Sequence, residues 1–114
     1  MQLSYLPRLP GKSVFGLADL AECRPGRVVS LTLYRNGGDS IVVFAFDAGE
    51  GVSQEVLDED CLYWLLEGEA IVTAGGVRHS LNGGGCFIVP ARVPHSVDMI
   101  ARSKVMVISV GCGF

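Results

Sequence analysis

The stretch that decides the fold is CLYWLLEGEAIVTAGG, residues 61–76, together with GGCFIVPARVPH, residues 84–95. The first segment is an apolar run that Glu67-Gly68-Glu69 interrupts and Gly75-Gly76 closes. Short apolar runs separated by glycine or proline are typical of β-strands that are joined by tight turns. These two segments therefore predict several short strands in succession.

The same pattern continues on both sides of this stretch. Residues 28–34 are rich in β-branched side chains, and Asn36-Gly37-Gly38-Asp39 can adopt the positive φ angles that hairpin turns need. Further runs with strand character cover residues 41–46, 61–66, 69–74, 77–81, 86–89, 95–101 and 104–110. Because no convincing helix interrupts this series, the sequence predicts an all-β sandwich or barrel.

The beginning of the chain differs from this pattern. Pro7, Pro10 and Pro25 exclude a long helix within residues 1–26. We therefore predict two parts, an N-terminal arm over residues 1–26 and a β-barrel domain over residues 27–114. The arm is expected to lie over the barrel or across a partner subunit. The 114 residues of the chain are enough for a single hydrophobic core.

Charge and composition exclude several classes of partner. The net charge is −3 and no basic cluster is present, so we expect no nucleic acid partner. No apolar run approaches the ~20 residues of a membrane helix, and no signal peptide is recognisable, so we expect no membrane partner. The four cysteines, at positions 23, 61, 86 and 112, are widely spaced. We expect reduced, mostly buried thiols, including Cys61 and Cys86, in a cytoplasmic protein.

Two of the predicted strands are apolar on both of their faces. Residues 41–46 and 62–66 contain almost no polar side chain, whereas a strand of a monomeric barrel needs only one apolar face. A second subunit would cover the outer face and remove the exposed apolar patch. The sequence therefore predicts a homodimer.

The middle of the chain resembles two motifs of the cupin superfamily, in particular its small single-domain proteins of the conserved-barrel (cupin 2) type. Gly49 and Gly68 match the glycines that open and close the first motif. Gly84, Pro90 and His95 match the second motif at the required spacing. The resemblance implies a double-stranded β-helix, which is the jelly-roll barrel of this superfamily.

The resemblance also implies a metal site, and the chain departs from it there. In the family, two histidines and a glutamate of the first motif and one histidine of the second bind a divalent metal. The corresponding positions of the first motif are Glu55, Leu57 and Cys61, and only His95 is retained. Leucine donates nothing to a metal. The site is therefore degenerate, with Glu55, Cys61 and His95 as the remaining candidate ligands for a divalent transition metal.

A pocket inside the barrel is expected from alternating side chains, since small barrels have room for one small ligand. The predicted lining comprises Phe44, Phe46, Leu57, Cys61, Tyr63, Leu65, Phe87, His95, Val97 and Met106. With Leu57 and Cys61 in place of polar metal ligands, this lining is more apolar than the family implies. It suits a small, partly hydrophobic molecule.

The function that the sequence favours is binding of such a small-molecule ligand, without the standard metal site. The alternative is a metal-dependent enzyme of the dioxygenase, isomerase or decarboxylase type, with Glu55, Cys61 and His95 as substituted ligands. A metal-free acid–base reaction is also open, with His95 and Glu55 as the candidate catalytic residues. The sequence does not decide whether the protein is an enzyme.

Overall fold

Antiparallel strands form most of the molecule from Val28 onward. A computed structural model describes residue 6 and residues 9–111 of the chain. A 3₁₀ helix, Leu17–Leu20, precedes the strands. The strands are β1 (Val28–Asn36), β2 (Asp39–Phe46), β3 (Gly51–Glu55), β4 (Asp60–Glu67), β5 (Glu69–Ala74), β6 (Val77–Asn82), β7 (Cys86–Val89), β8 (His95–Met99) and β9 (Ser103–Val110).

These strands pair into two antiparallel sheets. One sheet has the order β1-β2-β9-β4-β7 and the other has the order β3-β8-β5-β6. In both sheets some neighbouring strands are not consecutive in the sequence, as expected for a jelly roll. The inner faces of the two sheets enclose one core. The predicted all-β fold, a single-domain jelly-roll barrel, is confirmed.

The chain passes from one sheet to the other at Gly68, the glycine between the two glutamates of the opening stretch. β4 ends at Glu67 and β5 begins at Glu69. Gly68 has a φ of 108°, and a Cβ atom there would collide with Ser103 Oγ and with the carbonyl oxygen of Arg102. Only glycine meets both requirements without strain.

The main core lies between the two sheets. Its most deeply buried side chains include Phe46, Leu65, Val72, Val97 and Met99. Each of these side chains is at most 2% exposed, so solvent does not reach this part of the core. Burial of this apolar surface is the main contribution to the stability of the fold.

A second apolar cluster lies on the outer face of the five-stranded sheet. Val43, Ala45 and Met106 are buried there against the segment of residues 9–23, which includes the 3₁₀ helix. Lys104 Nζ donates a hydrogen bond to the carbonyl oxygen of Ala18 at 2.7 Å and thereby fixes this segment. The chain's own N-terminal segment therefore covers part of the face on which the homodimer prediction rests. The homodimer and the division into residues 1–26 and 27–114 stay predictions.

The cysteines differ in their burial. Cys23, Cys61 and Cys86 are free, and Cys112 lies outside the described residues. Cys61 is buried, but Cys86 is exposed, which corrects the prediction that it is buried. Cys86 begins β7, an edge strand, where its side chain points away from the core. No helix in the described part of the chain is long and apolar enough to cross a membrane.

Candidate functional site

A cavity of about 300 Å³ lies inside the barrel. Strands β1, β2, β4 and β9 of the larger sheet and β3 and β8 of the smaller sheet contribute to its wall. Its lining residues are Arg35, Ser40, Val42, Phe44, Phe46, Val52, Glu55, Leu57, Cys61, Tyr63, Met99, Val105, Val107 and Ser109. This volume lies at the lower end of the range for small-molecule sites in proteins.

Strand register arranges the lining of the larger sheet in rows, because every second residue of a strand points inward. Hydrogen-bonded neighbours on adjacent strands share a row. The row at one end contains Arg35, Ser40, Ser109 and Cys61, and the next row contains Val42, Val107 and Tyr63. The wall therefore changes from polar to largely apolar within one row.

The polar end of the cavity is also the end nearer to solvent. Arg35 is exposed, and the Glu55 side chain is 37% exposed. Phe46, Met99 and Val105 line the other end and are each 2% exposed. A molecule in this cavity would place an apolar body inward and polar groups outward.

His95 begins β8 and is almost completely buried behind the cavity wall. Its Nδ1 lies 3.1 Å from the carbonyl oxygen of Val93, which can only accept a hydrogen bond. A neutral ring that carries its proton on Nδ1 therefore leaves a lone pair on Nε2. The hydroxyl of Tyr63, 3.0 Å away, donates to that lone pair. Both ring nitrogens of His95 are thus satisfied by the protein.

Glu55 lies beside the His95–Tyr63 pair. It stands opposite His95 in the β3–β8 register, just after an irregularity in the pairing that follows Val52. Its Oε1 lies 3.4 Å from His95 Nε2, and the two form an ion pair when the imidazole is protonated. The structure therefore brings the two candidate catalytic residues, Glu55 and His95, together, and adds Tyr63 between His95 and the cavity.

Tyr63 and Cys61 both remain protonated near neutral pH. Burial raises the pKa of the Tyr63 hydroxyl well above its usual value, and the nearby Cys61 and Glu55 raise it further. Burial also raises the pKa of the Cys61 thiol, against a smaller opposing effect of its hydrogen bond with Ser109. The Cys61 sulfur lies 3.5 Å from Ser109 Oγ. The Cys61 thiol is therefore not activated as a nucleophile by its surroundings.

Comparisons with known proteins give no match among protein-family models or among curated protein sequences. Solved structures do match. A cupin superfamily protein from Desulfitobacterium hafniense is 32% identical to the chain, with a TM-score of 0.91, over 96% of this chain and 100% of that one. The chain belongs to the cupin superfamily.

Two further structures agree with this cupin assignment. A cupin 2 conserved barrel domain protein from Leptotrichia buccalis is 27% identical, with a TM-score of 0.80, over 84% of this chain and 47% of that one. A conserved protein of unknown function from Streptococcus pyogenes is 20% identical, with a TM-score of 0.94, over 98% of both chains, and so shares the fold. These similarities support the fold, not a particular reaction.

The side chains of this cupin do not fit the divalent metal that its superfamily implies. Among residues 6 and 9–111, no group of three or more His, Cys, Asp or Glu side chains could hold a metal ion. Leu57 lines the cavity and has no donor atom for a metal. The Nε2 lone pair of His95 is engaged by Tyr63. The arrangement of these side chains therefore does not support a metal-dependent reaction.

The predicted pocket residues fall into three groups in this cupin. Phe44, Phe46, Leu57, Cys61 and Tyr63 line the cavity. Leu65, Phe87, His95 and Val97 belong to or abut the surrounding core without lining the cavity. The prediction that Met106 lines the pocket is wrong. On β9 the side chains of Val105 and Val107 face the cavity, whereas Met106 faces outward and packs in the second apolar cluster.

Sequence reasoning missed the polar row at the open end. Arg35 and Ser40 flank the predicted turn Asn36-Gly37-Gly38-Asp39, and they pair across it. A two-residue turn fixes that register, so the turn was the signal that places both residues side by side. Ser109 could not be found in this way, because β9 reaches β2 from a distant part of the chain.

Proposed function

We propose that this cupin binds a small, partly apolar molecule in its barrel cavity, without the divalent metal of its superfamily. The observation that carries the proposal is the cavity of about 300 Å³, with a deep apolar end and a polar end near solvent. Sites for small molecules are typically concave and mostly apolar, with a few polar groups that set orientation.

The polar groups around the cavity favour a ligand with a hydrogen-bond donor. Glu55 presents carboxylate oxygens, which only accept. The Tyr63 hydroxyl donates a hydrogen bond to neutral His95 and lines the cavity, so the remaining lone pairs of its oxygen can accept a hydrogen bond from a ligand. A hydroxyl or amino group on the ligand would satisfy either of these acceptors.

The test is a titration of the ¹⁵N-labelled protein with a library of small fragments, followed by amide chemical shifts. We expect a subset of fragments to shift the amides of Tyr63 and Val107, which line the cavity. Val107→Trp should fill the cavity and abolish these shifts. Val77→Trp is the matched control, because Val77 is 56% exposed and lies outside the cavity. Fragments that bind Val107→Trp as well as the wild type would refute the proposal.

The second candidate function is a metal-free acid–base reaction, and the contact between Glu55 and His95 favours it. Glu55 lines the cavity and can take a proton from a bound substrate. His95 does not line the cavity, so it would act as a positioning residue for Tyr63 and Glu55. In this case Glu55→Gln would abolish turnover of an identified substrate while its Kd changes little. Unchanged turnover in Glu55→Gln would exclude the reaction.

A metal-dependent reaction would need Glu55, Cys61 and His95 to converge on one ion. Their arrangement does not support that alternative, because these three side chains do not form a group that could hold a metal ion. Binding and acid–base chemistry share the same cavity, so a ligand found by the titration is also the first compound to examine for turnover.

A further inference from the structure

The polar row at the open end of the cavity is built from four adjacent strands. Arg35 pairs with Ser40, Ser40 pairs with Ser109, and Ser109 pairs with Cys61. All four residues line the cavity. The row therefore presents a guanidinium and two hydroxyls side by side at the point where a ligand would enter.

The guanidinium of Arg35 has no partner among the residues that the structure describes. Within residues 6 and 9–111, the ion pairs involve Arg92, His95, Arg102 and Lys104, and none involves Arg35. No hydrogen bond of the Arg35 side chain is present in that part of the chain either. A guanidinium offers five N–H donors in a planar fork that matches a carboxylate.

The neighbouring hydroxyls can add to such an interaction. Among the described residues the Ser40 hydroxyl has no hydrogen-bond partner, and the Ser109 hydroxyl has the Cys61 thiol as its neighbour at 3.5 Å. An anion at this row would receive charge-assisted hydrogen bonds, which are stronger than neutral ones. One row further in, Val42 and Val107 offer only apolar surface.

We propose that the ligand of this cavity is a small monocarboxylic acid whose carboxylate lies at Arg35 and whose apolar body extends toward Phe46 and Met99. This inference rests on the proposed ligand-binding function and specifies its chemical class. The apolar depth of the cavity disfavours sugars and free phosphate, which have no apolar body to bury.

Glu55 restricts the ligand to a single carboxylate. It lines the same cavity as Arg35, and its carboxylate would repel a second anionic group. A hydroxyl or amino group would instead donate to Glu55. The cavity therefore selects for one negative charge at one side and a neutral or donating group at the other.

The test uses matched probes that share one apolar body, with Kd values from amide chemical shifts of the whole protein. The first pair is 3-phenylpropanoate and 3-phenylpropanamide, which share the apolar body and differ in that a neutral primary amide replaces the carboxylate. We expect the acid to bind about fivefold more tightly than the amide, since a partly exposed ion pair contributes about 1 kcal/mol. The difference should disappear in Arg35→Gln and persist in part in Arg35→Lys.

Arg78→Gln is the matched control, because Arg78 is an exposed arginine on β6 outside the cavity. It should leave the preference for the acid unchanged.

The second pair is 3-phenylpropanoate and phenylsuccinate, which carries one more carboxylate on the same body. Phenylsuccinate should bind more weakly than the monoacid, and Glu55→Gln should narrow that gap.

Equal affinity for the acid and the amide, with both lost in Val107→Trp, would overturn the monocarboxylate inference and leave the ligand-binding function standing. Failure of the acid to bind at about 10 mM would also overturn the inference. The fragment titration would then decide the ligand-binding function independently. An acid preference that survives Arg35→Gln would show that another group carries the selectivity.

Discussion

Inside the barrel the hydroxyl of Tyr63 lies 3.0 Å from Nε2 of His95, and the imidazole is thereby held by the protein itself. The pair takes up the nitrogen that a metal would need. Both side chains are at most 3% exposed, so the contact lies in the interior of the protein.

Tyr63→Phe is expected to destabilise the protein by about 1–3 kcal/mol, because it leaves the buried Nε2 of His95 without its donor. Urea denaturation at pH 7 measures the change in the free energy of unfolding. Tyr34→Phe is the control, since Tyr34 has no hydrogen bond of its side chain within residues 6 and 9–111. Equal losses in the two variants would show that the contact with His95 contributes nothing.

Asp47 should make stability depend on pH in the acidic range. Hydrogen bonds from the N–H groups of Gly26 and Ala48 and from Arg102 lower the pKa of this carboxyl from 3.8. A folded-state pKa below the unfolded one stabilises the protein above the unfolded pKa, and the effect is lost as pH falls through the folded pKa. The gap in unfolding free energy between the wild type and Asp47→Asn should therefore be constant above about pH 5 and shrink below 3.8.

Denaturant unfolding between pH 3 and pH 7 measures this gap. Asp98→Asn serves as the control, because Asp98 is an exposed carboxylate on β8 without a hydrogen bond or ion pair within residues 6 and 9–111. A gap for Asp47→Asn that stays constant down to pH 3 would contradict the prediction.

Gly68→Ala should lower the free energy of unfolding more than a glycine-to-alanine substitution at another position with positive φ. An alanine at Gly68 adds a collision with Ser103 to the cost of its φ of 108°, and we expect a loss of about 3 kcal/mol or more. At Gly76, with a φ of 81°, the new methyl group meets no atom within 4 Å, so about 1–2 kcal/mol is expected. Thermal unfolding of the two variants compares them. Similar losses would mean that conformation alone, and not the close approach of Ser103, requires a glycine at Gly68.

Purified wild-type protein should carry far less than one equivalent of iron, manganese, nickel or zinc after dialysis. Elemental analysis provides the measurement. The positive control is a triple variant, Glu55→His, Leu57→His and Cys61→Glu, which restores the ligand types that the family motif places beside His95. Metal retained by the wild type at one equivalent would reject the metal-free site.

The predicted homodimer should depend on the outer apolar surface that the N-terminal segment leaves free. Ile88 on β7 is 59% exposed, and Ile88→Asp should shift the protein toward the monomer in sedimentation velocity at micromolar concentration. Val56→Asp is the control at a loop position that is 56% exposed. A wild-type protein that sediments as a monomer would refute the homodimer.

The sequence predicted the fold well because its signals are local. Gly68 and Gly84 lie in turns with positive φ, and the runs between the turns alternate clearly enough to identify strands. The spacing of the two cupin motifs also assigned Glu55 and His95 to one site, and the two residues pair between β3 and β8. The residues next to Glu55 in the sequence do not indicate this pairing.

The rest of the site depends on contacts between distant parts of the chain. Met106 and Val107 are equally apolar, and only the register of β9 against β2 and β4 decides which of them faces the cavity. Tyr63 appears in the sequence as one aromatic residue of an apolar strand. Its role as the partner of His95 follows from a contact across the barrel between residues that are 32 positions apart.

The carbonyl of Val93 and the hydroxyl of Tyr63 together orient the ring of His95 from both sides. An imidazole oriented in this way reaches its final position as the chain folds. Under the metal-free function proposed above, the interior of the barrel would be complete without an ion. Ligand binding by this protein would then not depend on the metal supply of the cell.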